Sequence, residues 1–117
     1  MKNYVILNVV NEGRVELHDQ LGLTGAEISI NTLPAGVGVP FVHYHKTNEE
    51  IYYVFDGKGY VVIDKEKLEI AAGSWLRIAP EARRQFFASN DASISYVCIQ
   101  VKGNSLEGYT MTDAVVE

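Results

Sequence analysis

What most constrains this chain is the length of its apolar runs. They alternate over short stretches before Gly, Asn, Asp or Pro interrupts them, and none holds a 3.6-residue period for three turns. Candidate strands are residues 4–10, 15–18, 27–33, 41–45 and 50–55, then 59–63, 67–71, 74–79, 83–88 and 93–101. Ile28 and Ile30 alternate with Glu27, Ser29 and Asn31, the pattern of a half-buried strand. Turn chemistry separates the runs at Asn11-Glu12-Gly13, Asp56-Gly57-Lys58-Gly59, Asp64-Lys65-Glu66 and Ser89-Asn90-Asp91. Only the tail after Gly103 offers room for a short helix. Many short, turn-linked strands in one small chain predict an all-β fold, an antiparallel sandwich or barrel.

The 117 residues, 47% of them hydrophobic and 21% charged, suffice for one domain with its own core. Ten Lys and Arg against fifteen Asp and Glu give a net charge of −5, which disfavours nucleic acid and anionic membranes as partners. Cys98 is the only cysteine, so an internal disulfide and a four-cysteine zinc site are both excluded. The apolar run Val5-Ile6-Leu7 is cut by Asn8, too short for a secretory signal, so a cytoplasmic protein is expected. Tyr4–Val10 is apolar on both faces and must be covered on both. Either the chain itself covers it, or it forms a subunit interface; a homodimer is expected.

His43 and His45 are two of the three histidines, and on a strand residues two apart share a face. Glu50 follows at the start of the next run, with Tyr52 and Val54 on its face. Two imidazoles and a carboxylate that converge make a common ligand set for a divalent metal. The competing interpretation is a pair of solvent-facing histidines in a loop. His18 sits in a polar turn and reads as a surface residue. Cys98 alternates in a late strand and reads as a buried thiol.

The stretch from His43 through Glu50 to Gly57 resembles the first motif of the cupin family, in which a glycine and H-x-H precede a glutamate and, six residues later, another glycine. Gly36 and Gly38 flank the expected upstream glycine position, held here by Val37. The second cupin motif is matched only in outline. Six residues separate Gly73 from Pro80, Ala82 stands where a glycine is expected, Gln85 where a histidine is, and Ser89 where an asparagine is. The resemblance implies one domain over 1–117, an antiparallel double-stranded β-helix or jelly-roll barrel. Its core would span about 26–101, with an N-terminal strand and C-terminal tail packed on it. It also implies a metal held by His43, His45 and Glu50 inside the barrel.

Spacing to Gly57 favours Glu50 over Glu49, which would then be its solvated neighbour. Gln85 is expected to ligate the ion directly, to hold a water on it, or to leave the site weakened. Zn, Mn, Fe, Ni and Co all suit such a set. Gln85 would share an inward face with Arg83 and Phe87, and Arg77, Arg83 and Tyr52 could bind a carboxylate or sugar hydroxyls. Tyr52, Arg83 and Phe87 are thus the candidate substrate contacts. The resemblance implies an oxygenase, isomerase or lyase acting on a sugar or small acid, or a binding module that holds a small-molecule ligand without turnover.

Overall fold

A computed structural model describes residues 2–117. Its strands are β1 (Arg14–Glu16), β2 (Ala26–Leu33), β3 (Asn48–Ile63), β4 (Glu66–Ala71), β5 (Trp75–Ile78), β6 (Arg84–Ala88) and β7 (Ile94–Lys102). A single-turn helix, α1 (His18–Leu21), follows β1. All strand pairs are antiparallel, which confirms the all-β class.

β3 organises the molecule. The sequence predicts two strands parted by a turn at Asp56–Gly59, but the chain runs straight through as one strand of 16 residues. A bulge between Val54 and Asp56 shifts the register against β7. The bulge also switches the side-chain phase: Glu50, Tyr52 and Val54 are buried before it, Gly59 and Val61 after it. The first half of β3 pairs with β7 and β5, completing a sheet ordered β1-β2-β7-β3-β5. The second half pairs with β4 and β6. One strand thus belongs to both sheets and joins them at the bulge. Gly57 is required there: its φ is +77°, and a Cβ would run into the Ser93 carbonyl oxygen.

The core between the sheets holds Tyr52, Val54, Val61, Ile70, Ile78, Phe86, Ala88, Ile94, Tyr96 and Cys98. Phe86 stacks on Tyr96, and Tyr52 lies against both rings. On the larger sheet the polar side of β2 faces inward: Ser29 and Asn31 are buried, opposite Cys98 and Tyr96 of β7. Its outer side is mostly apolar, with the Glu49–Arg77 ion pair at one end. Val15, Ile30, Val97, Tyr53 and Trp75 line up across five strands, and Ile28, Ile99 and Ile51 form the neighbouring rung.

Several expectations need correction. Residues 4–10 form no strand; residues 3–12 make no backbone–backbone hydrogen bond, and Ile6 is 78% exposed. The tail does not pack on the core either, since Met111, Val115 and Val116 are almost fully exposed, and it holds turns rather than a helix. Neither segment finds a sheet edge to pair with, so its apolar residues stay outside. Residues 41–45 are not a regular strand; His43 and Arg84 form a single isolated bridge. The helix α1 was not anticipated, because four residues are too few to display a helical period. Among the described residues no helix is long and apolar enough to cross a membrane.

Replacing Gly57 with Ala should destabilise the protein by about 2 kcal/mol or more, through the positive φ and the clash with Ser93. Urea unfolding followed by tryptophan fluorescence measures this. A change below ~0.5 kcal/mol would show that the bulge relaxes without cost.

Candidate metal centre

Glu50 lies on the inward face of β3, and the two histidines reach it from the segment that leads into that strand. The segment is held by the first residue of β6 and the turn before it. His43 exchanges both backbone hydrogen bonds with Arg84, its N–H to the Arg84 carbonyl at 3.1 Å and the Arg84 N–H back at 3.0 Å. The His45 N–H donates to the Pro80 carbonyl at 2.8 Å. Both imidazoles are thereby aimed at one carboxylate. His43 Nε2 is 3.6 Å from Glu50 Oε1, and His45 Nε2 is 3.1 Å from Oε2. One donor atom from each of the three residues lies within 4.8 Å of the others.

Glu50 is 4% exposed and densely contacted. The Tyr52 hydroxyl donates to Oε1 at 2.6 Å, and the Cys98 thiol to Oε2 at 3.3 Å. The Arg84 guanidinium, fully buried, sits 3.3 Å from Oε1. Burial by itself pushes the Glu50 carboxyl upward, but hydrogen bonds from His43, Tyr52 and Cys98 and the charge of His45 outweigh it and hold the group at about 2. The donors respond oppositely. Burial and the Glu50 charge push the Cys98 thiol up to about 12, and burial drives the Tyr52 hydroxyl far above the usual phenol range. Both stay protonated at neutral pH and act as donors.

These residues fit a divalent cation. The buried His43 Nδ1 and His45 Nε2 have no hydrogen-bond partner among the described residues, and the latter sits beside an ionised carboxylate. Imidazole nitrogens and a carboxylate oxygen are the donor set expected of a mid-series divalent metal. The cluster opens into a cavity of about 540 Å³. Ser29, Asn31 and Gln100 line its polar side, and Leu33, Val39, Phe41 and Phe86 its apolar side.

The other predicted site residues separate. Tyr52 lines the cavity and holds Glu50. Gln85 also reaches the cavity wall, where its amide nitrogen donates to the Val39 carbonyl at 2.7 Å. Arg83 and Phe87 do not line it, which corrects their assignment. β6 buries Arg84, Phe86 and Ala88, so the inward phase is one residue away from that read in the sequence. Arg83 is exposed, its guanidinium over the Tyr44 ring and its N–H bonded to Asp64. Phe87 stacks on Tyr60. Glu49 points away and pairs with Arg77 at 2.7 Å, as a solvated neighbour would. Trp75 is 66% exposed and stacks on Tyr53. Sequence reasoning missed Arg84 as a site residue. It passed over Ser29 and Asn31, whose signal was polar alternation along a strand near the core.

Residues 29–100 match the family model of the cupin domain. The chain belongs to this family. Its fold superposes with a TM-score of 0.98 on a cupin protein from Bacteroides fragilis, 63% identical over 100% of this chain and 99% of that one. A sugar phosphate isomerase of the cupin superfamily from Silicibacter pomeroyi is 23% identical, with a TM-score of 0.67 over 77% of this chain and 60% of its own. A predicted oxalate decarboxylase from Thermotoga maritima is 20% identical, with a TM-score of 0.60 over 64% of each chain. At that distance the likeness shows the fold alone. An uncharacterised protein of Methanocaldococcus jannaschii is 32% identical over 57 residues, 49% of this chain and 46% of that one. The cupin chain thus spans about half of that relative's length.

The depressed Glu50 carboxyl makes stability depend on pH. A group lowered by folding contributes stability in full above its ordinary value of 4.5 and loses it as pH falls through about 2. The advantage of wild type over Glu50→Gln, measured by urea unfolding of metal-free protein, should therefore shrink steadily from pH 5 to pH 2. A constant difference over that range would show that Glu50 is not held ionised.

Proposed function

We propose that this cupin binds one divalent metal ion per chain through His43, His45 and Glu50, and acts on a small oxygen-bearing molecule that enters the adjoining cavity. The observation that carries this reading is the unpartnered His45 nitrogen 3.1 Å from an ionised, buried carboxylate. A divalent ion at that point would supply Lewis acidity to a substrate carbonyl or carboxylate oxygen. Gln85 is the candidate fourth contact, directly or through water. Ser29, Asn31 and Gln100 would bind hydroxyl or carbonyl groups, and the Val39–Phe41 side would cover carbon. The candidate substrates are sugars and small acids. Arg14 is the only Lys or Arg among the cavity-lining residues, and its guanidinium bonds Glu16 and Asn31, so a phosphorylated sugar is less well served.

A specific observation favours a second reading, ligand binding without turnover. The protonatable groups nearest the cluster, Tyr52 and Cys98, are both held neutral and spend their protons on Glu50. Neither is free to serve as a general base. Oxygen-uptake and turnover assays on a panel of hydroxy acids and sugars, with metal-loaded protein, separate the two readings.

Elemental analysis of untagged protein should find a divalent metal approaching one per chain. Glu50→Gln should lose it, while Glu49→Gln should retain it. Equal retention by the two variants would remove Glu50 from the ligand set. Metal affinity should fall as pH is lowered, because protons compete with the ion for the same donor atoms.

We also propose that the protein is a homodimer. The outer rungs of the larger sheet, five strands wide at ordinary spacings, cover a footprint of roughly 300 Å², with Trp75 exposed and the other rung residues half-buried. The apolar segment Tyr4–Val10 adds Tyr4, Val5, Ile6 and Val10, each more than half exposed. Face and segment together move toward the roughly 800 Å² per partner of a stable interface. A second copy is the occupant that matches both surfaces at once, since each copy brings an apolar face and an apolar arm. Light scattering should give twice the chain mass at micromolar concentration, and Ile6→Asp should shift it toward monomer. A monomer mass for wild type would reject the proposal.

A further inference from the structure

The most unusual group in the molecule is Arg84. It is fully buried, it does not line the cavity, and its Nε and Nη1 have no hydrogen-bond partner among the described residues. Nη2 donates to the Ala79 carbonyl at 2.6 Å, and Nη1 rests 3.3 Å from Glu50 Oε1. Its backbone is bonded in both directions to His43, so it cannot withdraw without moving a metal-ligating candidate. Burying a guanidinium with only one good hydrogen bond is costly, and charge balance with Glu50 offsets that cost.

We propose that Arg84 is a positioning residue that sets the metal affinity of the centre, by acting as a permanent cation on the far side of Glu50. The inference rests on the metal-binding reading given above. Without an ion, the guanidinium balances the buried carboxylate, so the apo protein keeps its site formed. With an ion, two positive partners share one carboxylate across a few ångströms of low-dielectric interior, and their repulsion weakens the complex. Oε1 is occupied by Tyr52 and Arg84, whereas Oε2, on the His45 side, carries only the long thiol contact of Cys98 at 3.3 Å and is the oxygen better placed to ligate. The centre would then hold its ion exchangeably rather than permanently. An Arg side chain is suited to this because it keeps its charge at every accessible pH.

The test uses the full-length protein, Co²⁺ and Mn²⁺ as probes, and chelator competition as the readout, with Arg84→Gln and Arg84→Lys beside wild type. Arg84→Gln should bind Co²⁺ at least about 10-fold more tightly, the lower end of what neighbours of metal ligands commonly shift. Arg84→Lys keeps the charge and should stay within a few-fold of wild type. The rise in melting temperature on adding Co²⁺ should be larger for Arg84→Gln than for wild type. If that variant fails to fold without metal, refolding in Co²⁺ should rescue it; failure in both conditions overturns the proposal. Equal or weaker binding by Arg84→Gln, with wild type binding normally, also overturns it and leaves the metal-binding reading intact. No binding by any of the three proteins overturns the metal-binding reading itself.

Discussion

The buried negative charge of Glu50 is the constraint on which the rest of the site depends. An ionised carboxylate in a β-sheet core is stable only if surrounded by donors or cations, and here the protein supplies both. Each comes from a different element: Tyr52 from β3 itself, Cys98 from β7, Arg84 from β6, and the histidines from the segment before β3. The charge therefore ties together both sheets. Tyr52, Phe86 and Tyr96 pack as an aromatic layer beside it and form part of the cavity wall, so the charge meets the cavity next to an apolar surface.

The geometry of β3 makes this arrangement possible. Without the bulge, side chains that face inward near Glu50 would face outward by Val61, and the two sheets could not share one core. The bulge adds the one residue that restores inward packing, and Gly57 supplies the backbone conformation and the space against Ser93 that it requires. The same local sequence, Asp56-Gly57-Lys58-Gly59, is rich in turn formers. Turn and bulge call on the same residue types, because both need positive φ and close backbone approach.

That overlap explains how far the sequence could be read. The strand class, most strand positions and the grouping of His43, His45 and Glu50 were legible because alternation and spacing are local signals. Whether Asp56–Gly59 turned or bulged was not, since the answer depends on β7 lying alongside. The phase of β6 failed for a related reason. Arg83, Arg84, Gln85, Phe86 and Phe87 give two interleaved faces of similar composition, each with one arginine and one phenylalanine. Pairing with β3, which sets Phe86 opposite the buried Val61 and Arg84 opposite Ile63, together with the bridge to His43, selects Arg84 for the interior. A buried arginine is also the reading that residue statistics discourage most, because Arg is rarely buried unless paired. Its partner, Glu50, lies more than thirty residues away in the chain, beyond any local pattern.

The larger sheet shows a comparable inversion with a functional meaning. β2 buries Ser29 and Asn31 and turns Ile28 and Ile30 outward, against the usual sense of a strand whose polar side meets water. A polar lining is what a cavity that receives an oxygen-bearing ligand needs, so the inner face has a chemical reason. The outer face has none within a single chain, because an apolar sheet surface gains nothing from water. The inversion is self-consistent once both faces have a partner, a ligand on one side and a protein surface on the other. The inner face of β1, β2, β7 and β3 lines the cavity, and the outer apolar rungs lie on the other side of the same sheet. Tyr52 and Ile51, or Cys98 and Val97, are neighbours in sequence that face the two sides. The two sides are joined by the ladders that pair β2 with β7 and β7 with β3.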